Sequence, residues 1–247
     1  PHSLRSPLRD WSLSILGALE PTPTKQELEK GNNAVLEFKE FLKKITDERR
    51  KNPGDPDTDV LTRMIIAEES NLSETELLQN CIFILNAGHE TTTNLIGNAL
   101  WALCTYPMVR KTLIKNPAIL NSAIDEFLRF LSPNQFGNRE TAFEVSLSGK
   151  KIPKNTNLHL CIGAANRDPL QFKDPEELII DRTPNRHLAF AGGAHHCVGF
   201  SLAKMEARIA IGMFLRNFPN YNLISKPRWS RRIRFRGLTH LHARLER

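Results

Sequence analysis

The stretch from Ser73 to Cys104 sets the tightest limit on how this chain can fold. Ser73-Glu74-Thr75-Glu76 is a capping box: a Ser is followed three residues later by a Glu, so each side chain satisfies a backbone N–H at a helix start. The box opens a helical run to about Cys104. At 1.5 Å per residue that run is about 45 Å long, enough to cross a whole domain. Apolar residues flank its middle on both sides, which predicts burial rather than a surface position. The middle itself, Asn86-Ala87-Gly88-His89-Glu90-Thr91-Thr92-Thr93, is poorly suited to a simple helix, with a glycine, an acid and three β-branched hydroxyl residues. Weak helix formers at the centre of a buried helix mark a functional distortion.

The rest of the chain is arranged around that run. Residues 9–19 read as a short helix broken by Pro21 and Pro23, and Lys25 to Arg50 carries apolar residues at helical spacing. A polar stretch with Pro53, Gly54 and Pro56 ends that helix, and a shorter one follows from Asp59 to about Glu69. Helices over 108–115 and 117–131 come next, then short strands over 139–163 with turns at Ser148-Gly149 and Pro153-Lys154-Asn155. Residues 168–196 form a long irregular loop, of the kind that is usually functional. A helix from Gly199 to about Asn217 and terminal strands complete the chain. The expected class is mainly α with small β-sheets. The 247 residues divide into helices over 1–131, strands and a cysteine loop over 132–198, and a helix with C-terminal strands over 199–247.

Composition is that of an ordinary globular protein, and no apolar run reaches the ~18 residues a membrane helix needs. The first residues, Pro1-His2-Ser3, lack an initiator Met and a signal-peptide core, and read as the shortened start of something longer. Cys81, Cys104 and Cys161 sit in apolar stretches and read as buried reduced thiols of a cytoplasmic protein. Formal net charge is +7, much of it in Arg228, Arg231, Arg232, Arg234, Arg236, Arg244 and Arg247. A nucleic-acid binder is one reading of such a tail. However, Ile233 and Phe235 alternate with Arg232, Arg234 and Arg236, which favours a half-exposed strand with a solvated face, or a docking surface for an acidic protein. No nucleic-acid or membrane partner is therefore expected.

Three constellations carry chemistry. Phe190-Ala191-Gly192-Gly193-Ala194-His195-His196-Cys197-Val198-Gly199 fits F-x-x-G-x-x-x-C-x-G and runs straight into a helix. Its glycines permit a tight turn beneath a flat cofactor, and a cysteine just before a helix N-terminus is placed to be a thiolate. Glu126-Phe127-Leu128-Arg129 is E-x-x-R, with the two charges on one helix face. Such a pair is common, but it gains meaning from Arg182 in the long loop, since Glu126, Arg129 and Arg182 together could pin that loop structurally. The centre of the long helix has two readings: polar residues that simply face a neighbouring segment, or a groove where oxygen binds, with Thr91 donating a hydrogen bond and Glu90 relaying protons from solvent. His89 and His187 read as satisfied polar histidines, since nothing has zinc spacing.

Taken in order, A-G-x-E-T-T, E-x-x-R and F-x-x-G-x-x-x-C-x-G make the chain resemble the cytochrome P450 monooxygenases of the soluble bacterial type. The resemblance spans essentially all residues but only the C-terminal portion of a family chain, from near the family's helix F. It implies the cytochrome P450 fold, haem b (iron protoporphyrin IX) and O₂ as co-substrate. It further implies one oxygen atom inserted into a small organic substrate, with electrons from a ferredoxin-type partner and ultimately NAD(P)H. By the same resemblance Cys197 is the iron's axial ligand, and Glu90 with Thr91 is the acid–alcohol pair. His195 and Arg139 are haem-propionate ligands, Phe190 with Gly193 and Gly199 shapes the cysteine side, and Ala87 with Gly88 lines the distal pocket. Pro133 to Phe136 and the tip near Leu238 face substrate, and Lys204 and Arg208 mark the partner's docking side. Phe200 and His196 depart from the family pattern. The alternative is a fragment with an incomplete pocket, without haem or activity, that self-associates through an exposed apolar face.

Overall fold

In the computed structural model, which describes residues 5–246 apart from the side chains of 68–71, the chain forms two compact units, Pro1–His89 and Glu90–Arg247. The division falls inside the long helix, within the stretch of weak helix formers.

The first unit is helical. Helix α1 (Arg5–Ala18) packs on α2 (Lys25–Lys51), which is followed by α3 (Val60–Asn71) and the first half of α4 (Glu74–Thr105). Both long helices start at capping boxes. Ser73 Oγ accepts from Glu76 N at 3.3 Å while Glu76 accepts from Ser73 N at 2.7 Å. A second box, Thr24 with Glu27, opens α2. The core of this unit is Phe38, Leu42, Leu78 and Ile82, covered by Trp11, Ile15 and Val35, with the Trp11 ring stacked on Phe38 at 5.1 Å. The burial expected around the middle of the long helix is incomplete. Phe83 is 65% exposed and Ile84, Ala87 and Gly88 are also exposed, so one apolar side of α4 is left uncovered by the described residues.

In the second unit α4 continues from Glu90, followed by α5 (Pro107–Lys115), a 3₁₀ turn (Pro117–Ile119) and α6 (Leu120–Leu131). Strand β1 (Phe136–Glu140) pairs antiparallel with β4 (Asn157–Cys161), and between them β2 (Val145–Leu147) and β3 (Lys150–Ile152) form a hairpin. The hairpin turns at Ser148 and Gly149, both with positive φ, as a tight two-residue loop requires. The short α7 (Ile162–Ala165) leads into a long loop that ends at α8 (Phe200–Asn217). The terminal residues form two small pairs, β5 (Asn222–Leu223) with β8 (Ala243–Arg244) and β6 (Arg228–Trp229) with β7 (Leu238–His240). The unit's core joins Leu95, Ala99 and Leu103 of α4, Ile124 and Phe127 of α6, Ile211 of α8 and Tyr221. The Tyr221 hydroxyl donates to Leu100 O at 2.6 Å, and burial pushes its pKa up.

Two expectations are corrected here. Cys161 is exposed, because a two-stranded sheet such as β1–β4 leaves residues at the end of β4 uncovered, and Cys81 and Cys104 on α4 are only half-buried. Residues 232–236 form no alternating half-exposed strand. They belong to the connection between β6 and β7, and Ile233 is 55% exposed while Phe235 is buried at 8%. This segment bridges instead to residues 133–135, with Gln135 N donating to Arg234 O at 2.8 Å and Arg236 N to Pro133 O at 2.9 Å. Among the described residues no helix is long and apolar enough to cross a membrane.

Phe38 is fully buried against Trp11. Phe38→Ala is expected to destabilise the first unit by about 3–5 kcal/mol, read from denaturant unfolding followed by tryptophan fluorescence.

Candidate active site

The site is built on one buried carboxylate. Helix α6 has a strongly apolar face and turns Glu126 and Arg129 inward, where both side chains are fully buried. The Arg129 guanidinium donates to both Glu126 oxygens, from Nε at 2.7 Å and Nη2 at 2.8 Å. Arg182 Nε adds donations at 3.1 and 3.3 Å, Asn185 Nδ2 one at 3.1 Å and the Ile179 amide one at 2.8 Å. The remaining Arg129 N–H groups reach Asn166 O, Pro175 O and Glu177 O at 2.8–2.9 Å. The structure thus brings Glu126, Arg129 and Arg182 together, and through them ties down the loop between α7 and α8.

That loop carries Cys197. The cysteine's own backbone N–H donates to Phe190 O at 2.9 Å, closing the turn upon itself. Inside it, Gly193 (φ +64°) starts a single 3₁₀ turn ending at His195, and even Ala191 has positive φ. The Phe190 ring is partly buried on the core and lies near His187, His196 and Phe200, at 5.8, 6.4 and 6.2 Å. The Phe200 and His196 rings pack edge to face, 4.9 Å apart.

Is this loop suited to an iron-bearing macrocycle? Val198, next to Cys197, is 97% exposed, and a Cβ at Gly192 or Gly193 would meet nothing within 4 Å. The cysteine is therefore bordered by uncovered small and apolar residues, as a flat apolar ring requires. Among the described residues no group of three or more His, Cys, Asp or Glu could hold a metal by itself. A single soft ligand fits a metal whose other positions are supplied by a ring. The donor set fits haem.

The other expected haem contacts are not drawn together by direct bonds. Arg139 lies exposed on β1 and donates to Asn138 O at 2.7 Å, while His195 is exposed at the end of its 3₁₀ turn. Ala87 and Gly88 lie on exposed positions of α4. Gly199 precedes α8, where an added Cβ would come within 4.0 Å of the Cys197 sulfur.

Glu90 is largely buried. Arg232 Nη1 donates to both its oxygens at 2.8 Å, and both side chains are largely buried. One and two helical turns further on, Asn94 and Asn98 face the same C-terminal segment. A Cβ on Gly237 would fall 1.8 Å from Asn94 Oδ1, so any larger residue there would displace the Asn94 side chain. Asn98 Nδ2 donates to Arg236 O at 3.1 Å. Thus Arg232, read as part of a solvated face, turns inward, and Arg236 lies over the Trp229 ring at 5.1 Å. Thr91 is half-buried on the turn that carries Glu90.

Sequence reasoning missed a second carboxylate. Asp125 Oδ1 lies 2.7 Å from Lys204 Nζ and 3.4 Å from His187 Nε2. Lys204, read as marking the docking side, is paired with Asp125. The satisfied-histidine reading does describe His187, whose Nδ1 accepts from Ala189 N at 3.3 Å. Burial raises the Asp125 pKa, but hydrogen bonds from His187 and Lys204 and the Lys204 charge outweigh it and hold the carboxyl below its usual value. The adjacent acids in Asp125-Glu126 were the available signal.

The family model of cytochrome P450 matches the chain over residues 12–117 and 114–220. The chain belongs to the cytochrome P450 family. It is 34% identical over 224 residues to the biotin biosynthesis cytochrome P450 of Bacillus subtilis (strain 168), covering 90% of this chain and 56% of that protein. It is 38% identical over 218 residues to cytochrome P450 CYP107DY1 of Priestia megaterium, covering 87% and 52% respectively. The crystal structure of P450BioI in complex with hexadec-9Z-enoic acid ligated acyl carrier protein superposes with a TM-score of 0.94 at 33% identity, covering 100% of this chain and 63% of that one. The chain thus spans little more than half the length of these curated relatives.

Glu126→Gln keeps the shape of the buried cluster but leaves two guanidinium groups without their counter-charge. It is expected to cost about 3–5 kcal/mol, read from chemical denaturation. Asp125 has a different signature. Its folded-state pKa lies below the ordinary 3.8, so its stabilisation is complete above that value and is lost as pH falls through the folded one. The stability gap between wild type and Asp125→Asn, measured by thermal melting, is expected to be constant near neutrality and to close below about pH 3.8.

Proposed function

We propose that this chain is the ligand-bearing portion of a haem-thiolate monooxygenase that inserts one atom of O₂ into a small organic substrate, with Cys197 as axial ligand. The observation that carries this reading is the Cys197 loop, which presents one thiol among uncovered small and apolar residues and is anchored through Phe190 O. Haem ligated by thiolate supplies the electron donation that favours O–O cleavage. The protein's role is to hold the sulfur, exclude water and move protons.

Glu90 and Thr91 are the residues for proton movement. The Thr91 hydroxyl donates toward the oxygen-binding side, and Glu90 passes protons inward from solvent. Because Glu90 is held by Arg232, it delivers a proton only when that contact loosens, which gives Arg232 control over the relay. His195 and Arg139, both exposed, are the candidate propionate partners. Pro133 to Phe136 and the paired 234–236 segment, with Leu238 following, form the candidate substrate-facing edge. Two electrons per turnover come from a ferredoxin-type partner and ultimately from NAD(P)H, in the cytoplasm. With two protons they reduce the second oxygen atom to water. Arg208 and Arg216, exposed beside an apolar groove of about 560 Å³ on α8, are the docking charges once Lys204 is engaged by Asp125.

The test is the carbon monoxide difference spectrum of the reduced protein. A Soret band of thiolate ligation is expected in wild type and absent in Cys197→Ser at unchanged helical circular dichroism. A Cys197→Ser protein that keeps the band overturns the ligand assignment, and a folded wild-type protein that takes up no haem overturns the activity. Thr91→Ala is expected to divert most consumed electrons into hydrogen peroxide, lowering product formed per electron about 100-fold while substrate binding is retained.

A further inference from the structure

The loop that carries Cys197 is tied at both ends to one carboxylate that the proposed chemistry does not use. Asp125 stands on α6, one residue before Glu126. Its carboxylate accepts from His187 Nε2 at 3.4 Å, before the cysteine in the chain, and from Lys204 Nζ at 2.7–2.8 Å, after it on α8. His187 is in turn set toward the cysteine. The Ala189 amide donates to its Nδ1 at 3.3 Å, so that nitrogen carries no proton and Nε2 donates to Asp125. Its ring lies 5.8 Å from that of Phe190, whose carbonyl holds the Cys197 amide at 2.9 Å. A continuous path of contacts therefore runs from Asp125 through His187 and Phe190 to the ligand's own backbone, and a second runs through Lys204 into the helix that follows the ligand.

Successive residues of α6 thus hold successive segments of the chain. Glu126 takes the segment containing Ile179, Arg182 and Asn185, and Asp125 spans the segment from 187 to 204. The His187 side chain is 8% exposed and the other two about a third or less, so water screens this contact less than a surface pair.

We infer that Asp125, His187 and Lys204 form a clamp that positions the Cys197 sulfur. The inference rests on reading Cys197 as the axial ligand. None of the three touches the reacting atoms, and they act as positioning residues.

Two measurements on the haem-loaded protein test the clamp. The first is amide hydrogen exchange, followed by mass spectrometry over residues 188–199. The second is the rate at which the reduced, carbon monoxide-bound protein loses its thiolate Soret band. Asp125→Asn and Lys204→Met are each expected to speed both about tenfold, the scale on which partners of a metal ligand act. Lys204→Arg, which keeps the charge, should restore near-wild-type rates, and exchange in α5, which carries no part of the clamp, should not change. If Asp125→Asn does not fold, His187→Gln and Lys204→Met remove its two arms separately. The clamp is overturned if Lys204→Met and His187→Gln both exchange residues 188–199 and hold the band as wild type does. It is also overturned if exchange rises equally throughout the second unit. A Cys197→Ser protein that keeps the thiolate band would sink the ligand assignment, yet the exchange readout would still report on the clamp.

Discussion

Glu126 and Arg129 are completely buried charges, and the order of the second unit depends on their being fully satisfied. Removing two ions from water costs several kcal/mol each, which their attraction offsets only if the remaining donors and acceptors are also matched. Here the Glu126 oxygens collect donors from Arg129, Arg182, Asn185 and the Ile179 amide, and the guanidinium reaches three backbone carbonyls of the irregular stretch. The cluster's value is therefore one of geometry more than of net stability. Irregular backbone has no ladder of its own, and a fixed charge pair supplies partners where a strand or helix would have used its neighbours. With that stretch held, the Cys197 turn can close on Phe190 O and face outward in one conformation.

The long helix α4 has a second polar seam. Glu90, Asn94 and Asn98, spaced one turn apart, meet Arg232, Gly237 and Arg236 in turn. This seam lays the C-terminal segment along the helix and couples the candidate acid to an arginine. The same contacts fix α4 against that segment from Glu90 onward. A helix interior that must present an acid and two amides to another segment cannot be optimised for propensity alone. Uncovered apolar residues such as Phe83 and Val198 mark where the chain presents hydrophobic surface that none of its described residues covers.

Much of the architecture was legible from local pattern, because local pattern reports local physics. Capping boxes, positive-φ turns and helical spacing act within four residues, and Ser73–Glu76, Ser148-Gly149 and the Glu126–Arg129 pair all stand where spacing places them. The C-terminal arginines misled for the opposite reason. An alternation of Ile233 and Phe235 with arginines describes a strand only if a second strand is there to pair with it. The available neighbours were a bridge to Asn134 and the face of α4, which turned Arg232 inward and left Ile233 outside.

The amino-acid sequence by itself determined the helical class and the family, and it singled out Cys197 as the candidate axial ligand, since each rests on a compact run of residues whose spacing is the chemistry. Only the tertiary structure decided which charges meet. Glu90 and Arg232 are 142 positions apart and Asp125 and Lys204 are 79 apart. With 34 basic and 27 acidic side chains in the chain, no spacing rule selects one such pair over another. Long flexible side chains find partners only after the backbone has been packed, and that packing tied the Cys197 segment at both ends to Asp125, next to the acid that holds the segment before it.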